Sequence, residues 1–142
     1  MQQRWQNAYI ENMVKTASPA KLIELLYMKA IDVLKEAEEL IKEKKYVEAN
    51  EKIKRAQDIV VELNLSLDIE KGGQIAKNLR ALYNYLFQRL IEGNVKKDIN
   101  ALKEVRGFLE DLLETWREVM KRAGNTAEVS SKKKQGGLDL SL

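Results

Sequence analysis

The side chains available for chemistry are carboxylates, amines and guanidiniums, because the chain contains no cysteine and no histidine. Thiolate nucleophiles, disulfides and metal sites built on thiolate or imidazole ligands are therefore excluded. Two clusters of carboxylates stand among Lys and Arg at helical spacing: Glu36, Glu38 and Glu39, and Glu110, Asp111 and Glu114. Such spacing is typical of solvated helix faces with i,i+4 ion pairs. We expect no catalytic residue, no cofactor and no metal ion.

One enzymatic alternative needs only Arg, Lys and Glu. Small helical mutases, such as chorismate mutase, bind a dianionic substrate with arginines that project into a bundle core. That arrangement requires a cation on the inward face of a helix. None lies on the apolar lines given below, although Arg89 flanks one of them. A generic helical adaptor protein is the other alternative.

The charge pattern argues against nucleic-acid binding. There are 25 basic and 22 acidic residues, which give a net charge of +3, and the two signs alternate along every segment. A nucleic-acid binder usually concentrates its Lys and Arg on one face to displace counterions from phosphates. The longest uninterrupted apolar run covers only residues 25–28, too short for a membrane span. We therefore predict a cytoplasmic protein without membrane insertion.

The elements that must position any site are helices. The chain has 142 residues, 44% of them apolar, and a single proline. Apolar residues recur at intervals of three and four, which is the period of an amphipathic helix. The four lines are Leu22, Ile23, Leu26, Ala30, Val33, Leu34, Ala37 and Ile41; Ala49, Ile53, Ala56, Val60, Leu63 and Leu67; Ile75, Leu79, Leu82, Leu86 and Leu90; and Leu102, Val105, Leu109, Leu112, Trp116 and Val119.

Capping and breaking residues set the predicted limits of these helices. Ser18 is a good N-cap, and Pro19 follows at the first helical position, where its missing N–H costs nothing. Asp98 can cap the fourth helix in the same way. Glycines predict where the helical pattern is interrupted: Gly72-Gly73 before the third helix, Gly93-Asn94 after it, and Gly124 at the end of the fourth.

Short connections between amphipathic helices predict an all-α, antiparallel up-and-down bundle of four long helices. We assign this bundle to residues 18–124. Residues 1–17 carry Trp5, Tyr9 and Met13 at i,i+4 spacing, and we expect them to form a short amphipathic segment that acts as a lid. Residues 125–142 are small and polar until Leu138, and we expect a disordered C-terminal tail.

Apolar residues beyond the four core lines indicate a binding surface. Exposed contiguous apolar area generally marks an interaction site. The alternative is a wide core face, or cover by the N-terminal segment. The candidate partner-binding residues are Tyr9, Ile10, Val61, Leu65, Asn78, Tyr83, Phe87 and Ile91. Within this set, Asn78 is expected beside the core line, hydrogen-bonded to a neighbouring helix.

Several ordered motifs resemble the flagellin-specific export chaperone family FliS. The first is Thr16-Ala17-Ser18-Pro19, followed by Leu22-Ile23 and Leu26-Tyr27. The second is Leu67-Asp68-Ile69-Glu70-Lys71-Gly72-Gly73-Gln74-Ile75-Ala76, which continues through Asn78-Leu79, Leu82-Tyr83 and Tyr85. Arg89-Leu90, Asn94, Asp98, Glu104-Val105 and Trp116 extend the likeness. Together the motifs span about residues 8–120.

The resemblance implies a protein that binds the C-terminal region of flagellin in the cytoplasm and prevents premature polymerisation. It also implies delivery of that client to the flagellar type III export apparatus, where the client-loaded chaperone docks on the export gate. In this family the tyrosine that follows the first alanine takes part in gate docking, and here it is Tyr9, after Ala8.

Overall fold

The structure is a computed structural model that describes the backbone of residues 18–133 and the side chains up to residue 124. Its described part contains four helices: α1 (Pro19–Lys42), α2 (Tyr46–Leu65), α3 (Ile69–Lys96) and α4 (Ile99–Lys133). The all-α prediction is confirmed. None of these helices is long and apolar enough to cross a membrane.

The helix starts follow the predicted capping residues. The Ser18 hydroxyl accepts from the Lys21 amide at 3.2 Å, with Pro19 in the first turn. The Asp98 carboxylate accepts from the Asn100 amide at 2.9 Å. Gly73 adopts φ 55° and ψ −133° inside α3, so the predicted interruption is present as a kink. A left-handed backbone of this kind is most readily adopted by glycine.

The predicted end of α3 at Gly93-Asn94 is wrong. The helix runs on to Lys96, and Lys97 supplies the left-handed residue at φ 50°. The Asp98 amide then donates to the Gly93 carbonyl at 2.9 Å, which closes the last turn. Gly93 itself is buried where α3 meets α4. A Cβ there would lie 3.1 Å from Ala101 Cβ, so the glycine permits close approach of the two helices.

The helices form an antiparallel ring in which α1 packs against α2 and α4, and α3 packs against the same two helices. Hydrogen bonds between side chains show that α2 and α3 run antiparallel. Asn50, early in α2, accepts from Asn94, late in α3, whereas Asn64, late in α2, accepts from Arg80, early in α3. The large side chains that are fully buried are Tyr27, Leu34, Ile53, Ile59, Leu63, Leu86, Leu90, Leu102, Leu109, Val33, Val60 and Val105.

The inward line of α3 differs from the predicted one. Ile75 is 64% exposed and lies outside the core, whereas its neighbour Ala76 is buried. Tyr83 is buried and Leu82 only half-buried. The kink at Gly73 lets the helix restart in a new orientation, and a buried partner for the Tyr83 hydroxyl removes the usual penalty for an inward tyrosine.

Among the described residues, three polar contacts join α1 to α4, and one of them is the ion pair between Arg117 and Glu24 at 2.7 Å. Both Glu38 carboxylate oxygens accept from the Arg106 guanidinium, at 2.6 and 3.1 Å, and Glu38 is only 4% exposed. The prediction of a solvated face is therefore wrong for Glu38, because Arg106 lies opposite it and satisfies both oxygens. Near the other end of the bundle, Trp116 donates to the Ala20 carbonyl at 2.9 Å.

The predicted end of the fourth helix near Gly124 is also wrong, since α4 continues to Lys133. Gly124 keeps an ordinary helical backbone, and no proline follows it to prevent continuation. The rest of the predicted tail, residues 134–142, lies outside the described residues. So does the predicted lid, residues 1–17.

Candidate functional site

A groove of about 310 Å³ lies on the bundle surface between α2 and α3. Four of its lining residues, Val61, Leu65, Arg80 and Asn84, are exposed to solvent. Both walls come from antiparallel helices, so the groove follows the helix axes. Its lining residues are Val60, Val61, Asn64, Leu65, Arg80, Tyr83, Asn84 and Phe87.

The apolar surface of the groove comes from side chains that are not fully buried in the core. Val61 is 42% exposed and Leu65 is 77% exposed on α2, and Phe87 is half-buried opposite them on α3. The core lines of these two helices are filled by other residues, so Val61 and Leu65 face outward, while Phe87 packs partly against the core and presents its remaining surface to the groove. The three side chains form a second apolar line. An apolar line of this kind on two adjacent helices is suited to receive apolar side chains of a partner.

Tyr83 forms the floor of the groove and reaches through the core. Its hydroxyl lies 2.5 Å from the hydroxyl of Tyr27 on α1, and both tyrosines are 2% exposed. Burial raises the pKa of each phenol, so both stay neutral and one donates a hydrogen bond to the other. The floor is therefore tied to the helix on the opposite side of the bundle.

A chain of polar side chains spans the groove at one end. Arg80 Nε donates to Asn64 Oδ1 at 3.2 Å, and Asn64 Nδ2 donates to Asn84 Oδ1 at 3.0 Å. Arg80 and Asn84 are exposed. This end lies where α2 finishes and where α3 begins after its kink. The groove thus has one polar end and an apolar remainder.

The structure brings together four of the predicted partner-binding residues, Val61, Leu65, Tyr83 and Phe87. Tyr83 differs from expectation because it belongs to the core as well as to the groove. Ile91 is half-buried on α3 but does not line the groove.

Asn78 does not fit its predicted place. It is exposed and accepts from Gln74 one turn earlier at 2.9 Å, and among the described residues it neither approaches the core nor bonds another helix. Tyr9 and Ile10 lie outside the described residues.

Sequence reasoning missed the polar rim formed by Asn64, Arg80 and Asn84. Each of these residues stands three or four positions from an apolar groove residue on its own helix, which is the only local signal they carry. That signal does not show which polar neighbours face the same groove. The answer depends on how each of the two helices is rotated about its axis.

The opposite edge of α3 holds the arginine on which the enzyme alternative rests. Arg89 donates to Glu104 and to Glu92, each at 2.9 Å, and Tyr85 donates to the same Glu104 carboxylate. The contacts to Glu104 join α3 to α4 on an exposed face. Arg89 therefore forms its ion pairs at the surface and does not project into the core. Within the described residues, no group of carboxylates is arranged to hold a metal ion.

We expect Tyr83→Phe to destabilise the bundle while leaving the shape of the groove intact. The ring that forms the floor is retained, but the Tyr27 hydroxyl loses its partner in the core. A buried unsatisfied hydroxyl costs about 1–3 kcal/mol in unfolding free energy. Denaturant unfolding of both single variants and of the Tyr27→Phe/Tyr83→Phe double variant measures the coupling. Strictly additive losses would show that the two hydroxyls do not interact.

The chain matches the family model described as "Flagellar protein FliS" over residues 1–123. Among curated relatives, the flagellar secretion chaperone FliS of Salmonella typhimurium is 36% identical over 115 residues, covering 80% of this chain and 85% of the relative. The protein of the same name from Bacillus subtilis is 31% identical over 113 residues, with shares of 80% and 84%. That of Campylobacter jejuni is 36% identical over 113 residues, with shares of 80% and 88%.

The fold also matches a solved structure, described as the crystal structure of a flagellar chaperone from bacteria. The two share 23% sequence identity and a TM-score of 0.69, over 85% of this chain and 98% of the other. At this level of identity the likeness concerns the fold, and it agrees with the helical bundle described above.

Proposed function

Because this chain belongs to the FliS family, whose members are flagellar secretion chaperones and not enzymes, we propose that it binds the C-terminal region of flagellin. Binding in the cytoplasm prevents premature polymerisation of the client. The loaded complex then delivers flagellin to the flagellar type III export apparatus by docking on the export gate. The groove between α2 and α3 is the part of the described surface that we assign to the client.

The observation that carries this proposal is the second apolar line formed by Val61, Leu65 and Phe87 over the Tyr83 floor. These side chains stand on adjacent antiparallel helices and form one groove parallel to the helix axes. A client helix laid along it would insert side chains spaced by three and four residues. The volume of about 310 Å³ holds those side chains, while the body of the client helix stays outside.

The energetics of such a groove suit a reversible chaperone. Fully burying a Val, Leu or Phe side chain contributes about 1.5–3 kcal/mol. A disordered client loses conformational entropy as it becomes helical, which offsets a large part of that gain. The remaining affinity holds the client and still allows its release at the export apparatus.

Calorimetric titration with a flagellin C-terminal fragment tests the proposed function. We expect one-to-one binding with a negative heat-capacity change, because apolar surface is buried. Circular dichroism of the mixture should exceed the sum of the separate spectra in helix content. A fragment of equal length from the flagellin N-terminal region serves as the control. Absence of heat at several temperatures, with additive spectra, would contradict the proposal.

We further propose that residues 1–17 act as a lid that the client displaces, with Tyr9, Ile10 and Met13 as its anchors. An isolated helix of this length is marginal in water and needs tertiary contact to persist. Few apolar anchors oppose the entropy of ordering the segment, so a long client helix can replace it. In hydrogen exchange, the amides of residues 5–14 should be partly protected in the free protein and change when the client binds.

The variant Tyr9→Ala separates the lid from the gate-docking role. We expect client affinity to stay equal or to rise slightly, because a lid without the Tyr9 side chain competes less well with the client for the groove. Binding of the loaded complex to the export gate should fall. Amide exchange at residues 5–14 that is the same with and without client would rule out the lid.

A further inference from the structure

We infer that the polar end of the groove recognises a carboxylate on the client, with Arg80 as the specificity-determining residue. The partner is then an amphipathic helix that carries an Asp or Glu beside its apolar line. This inference rests on the proposed function, since it names the chemistry of the segment that the same groove receives.

The first support is the bonding of Arg80. Its guanidinium donates to Asn64 Oδ1 at 3.2 Å and to the Asn64 carbonyl at 3.5 Å. The second of these is long, and the same carbonyl already accepts from the Leu67 amide. Both acceptors are neutral, and within the described residues no carboxylate pairs with Arg80. The guanidinium therefore lies in the groove wall without a counter-charge from the described part of the bundle.

Three arginines that pair with a carboxylate on another helix are bonded differently. Arg89 pairs with Glu104, Arg106 with Glu38 and Arg117 with Glu24, each at 2.6–2.9 Å. The guanidinium is a planar fork of donors that matches a carboxylate better than an amide. Arg80 has the same donors beside an apolar groove, and in the described part of the chain only Asn64 accepts from them.

Charge complementarity follows from the composition of the groove. Arg80 is the one charged residue among the eight that line it. A client helix over the groove would remove water from around the guanidinium. This strengthens the attraction of Arg80 for a negative charge on the client and its repulsion of a positive one. The Asn84 amide nitrogen, which has no hydrogen-bond partner in the described part of the chain, offers a second donor beside it.

The position of Arg80 gives the recognition a direction. Arg80 and Leu65 lie at the end where α2 finishes, and Val60 and Phe87 lie farther along the groove. A carboxylate bound at Arg80 would fix which end of the client helix faces that end, and would fix its register along the apolar line. Apolar contacts alone tolerate sliding, whereas a bidentate ion pair does not.

The test compares Arg80→Gln with Arg55→Gln in titrations with the flagellin C-terminal fragment. Arg55 is an exposed arginine on α2 that does not line the groove. We expect Arg80→Gln to weaken binding about tenfold and to remove part of its salt dependence, and Arg55→Gln to change neither. Thermal unfolding of each variant confirms that the bundle is intact. Equal affinities of Arg80→Gln and the unmodified protein would overturn the inference.

A double-mutant cycle identifies the carboxylate. Each Asp and Glu of the fragment is changed singly to Asn or Gln and titrated against the unmodified chaperone and against Arg80→Gln. One change should weaken binding to the unmodified protein about tenfold and have little further effect on Arg80→Gln. If no carboxylate couples to Arg80, the inference fails while the proposed function stands. If the fragment does not bind the unmodified chaperone, the proposed function fails.

Discussion

Val61→Asp should weaken binding of the flagellin C-terminal fragment by on the order of 100-fold, because a carboxylate in the apolar wall of the groove would lie under the bound client helix. Val61 lies in the apolar wall of the groove and is 42% exposed in the free protein. The new carboxylate is hydrated before binding and loses that hydration when the client covers it. Calorimetric titration measures the change in affinity.

The matched control is Val47→Asp, since Val47 lies on the same helix, is 75% exposed and does not line the groove. Val47→Asp should bind the fragment as the unmodified protein does. Both variants should unfold within about 1 kcal/mol of the unmodified protein, as surface substitutions usually do. Equal binding by the two variants would place the client elsewhere on the bundle.

The largest loss of stability is expected for Gly93→Leu. A Cβ at this position meets Ala101 Cβ at 3.1 Å and Leu102 Cδ2 at 3.2 Å, so even a methyl group is crowded and three further carbons have no space. Relief requires α3 and α4 to move apart. Overpacking of this kind costs about 3 kcal/mol, and the corresponding fall in Tm is on the order of 10 °C for a domain of this size.

Gly107→Ala provides the control for helix propensity. Gly107 lies in α4, and a Cβ there would meet nothing within 4 Å. Replacing a helical glycine by alanine at an open position stabilises by about 1 kcal/mol. Thermal and denaturant unfolding should therefore show opposite signs for the two glycines. A Gly93→Leu variant as stable as the unmodified protein would show that α3 and α4 are not in close contact at Gly93.

Much of the fold was predictable because its signals are local. The cap at Ser18 and Pro19, the cap at Asp98 and the α2 line from Ala49 to Leu63 depend only on residues close in sequence, and the structure confirms them. A residue's own type and its neighbours at three and four positions suffice for such features.

The errors concern features that another helix decides. Gly93 was predicted to end the helix because glycine often does so. Instead it lets α3 and α4 approach closely at Ala101. Tyr83 enters the core because Tyr27 meets its hydroxyl across the bundle. Glu38 is buried because Arg106 lies opposite it. None of these partners is near in sequence, so periodicity could not show them.

The candidate site divides in the same way. Val61, Leu65 and Phe87 stand out in the sequence as apolar residues beyond the core lines. Arg80 does not, because a single arginine beside an apolar line is usual on any helix surface. Its position opposite Asn64, with no carboxylate partner within the described part of the chain, becomes visible only when α2 and α3 are placed side by side.

Methyl NMR of the full chain during titration with the flagellin fragment tests most directly whether the α2–α3 groove holds the client. Val61 and Leu65 carry the methyl groups that the groove exposes, while Val47 and Val95 expose theirs elsewhere on α2 and α3. We predict that the Val61 and Leu65 signals shift in proportion to bound fragment and show contacts to client side chains, with Val47 and Val95 unchanged. Binding that leaves the Val61 and Leu65 signals in place would contradict the assignment.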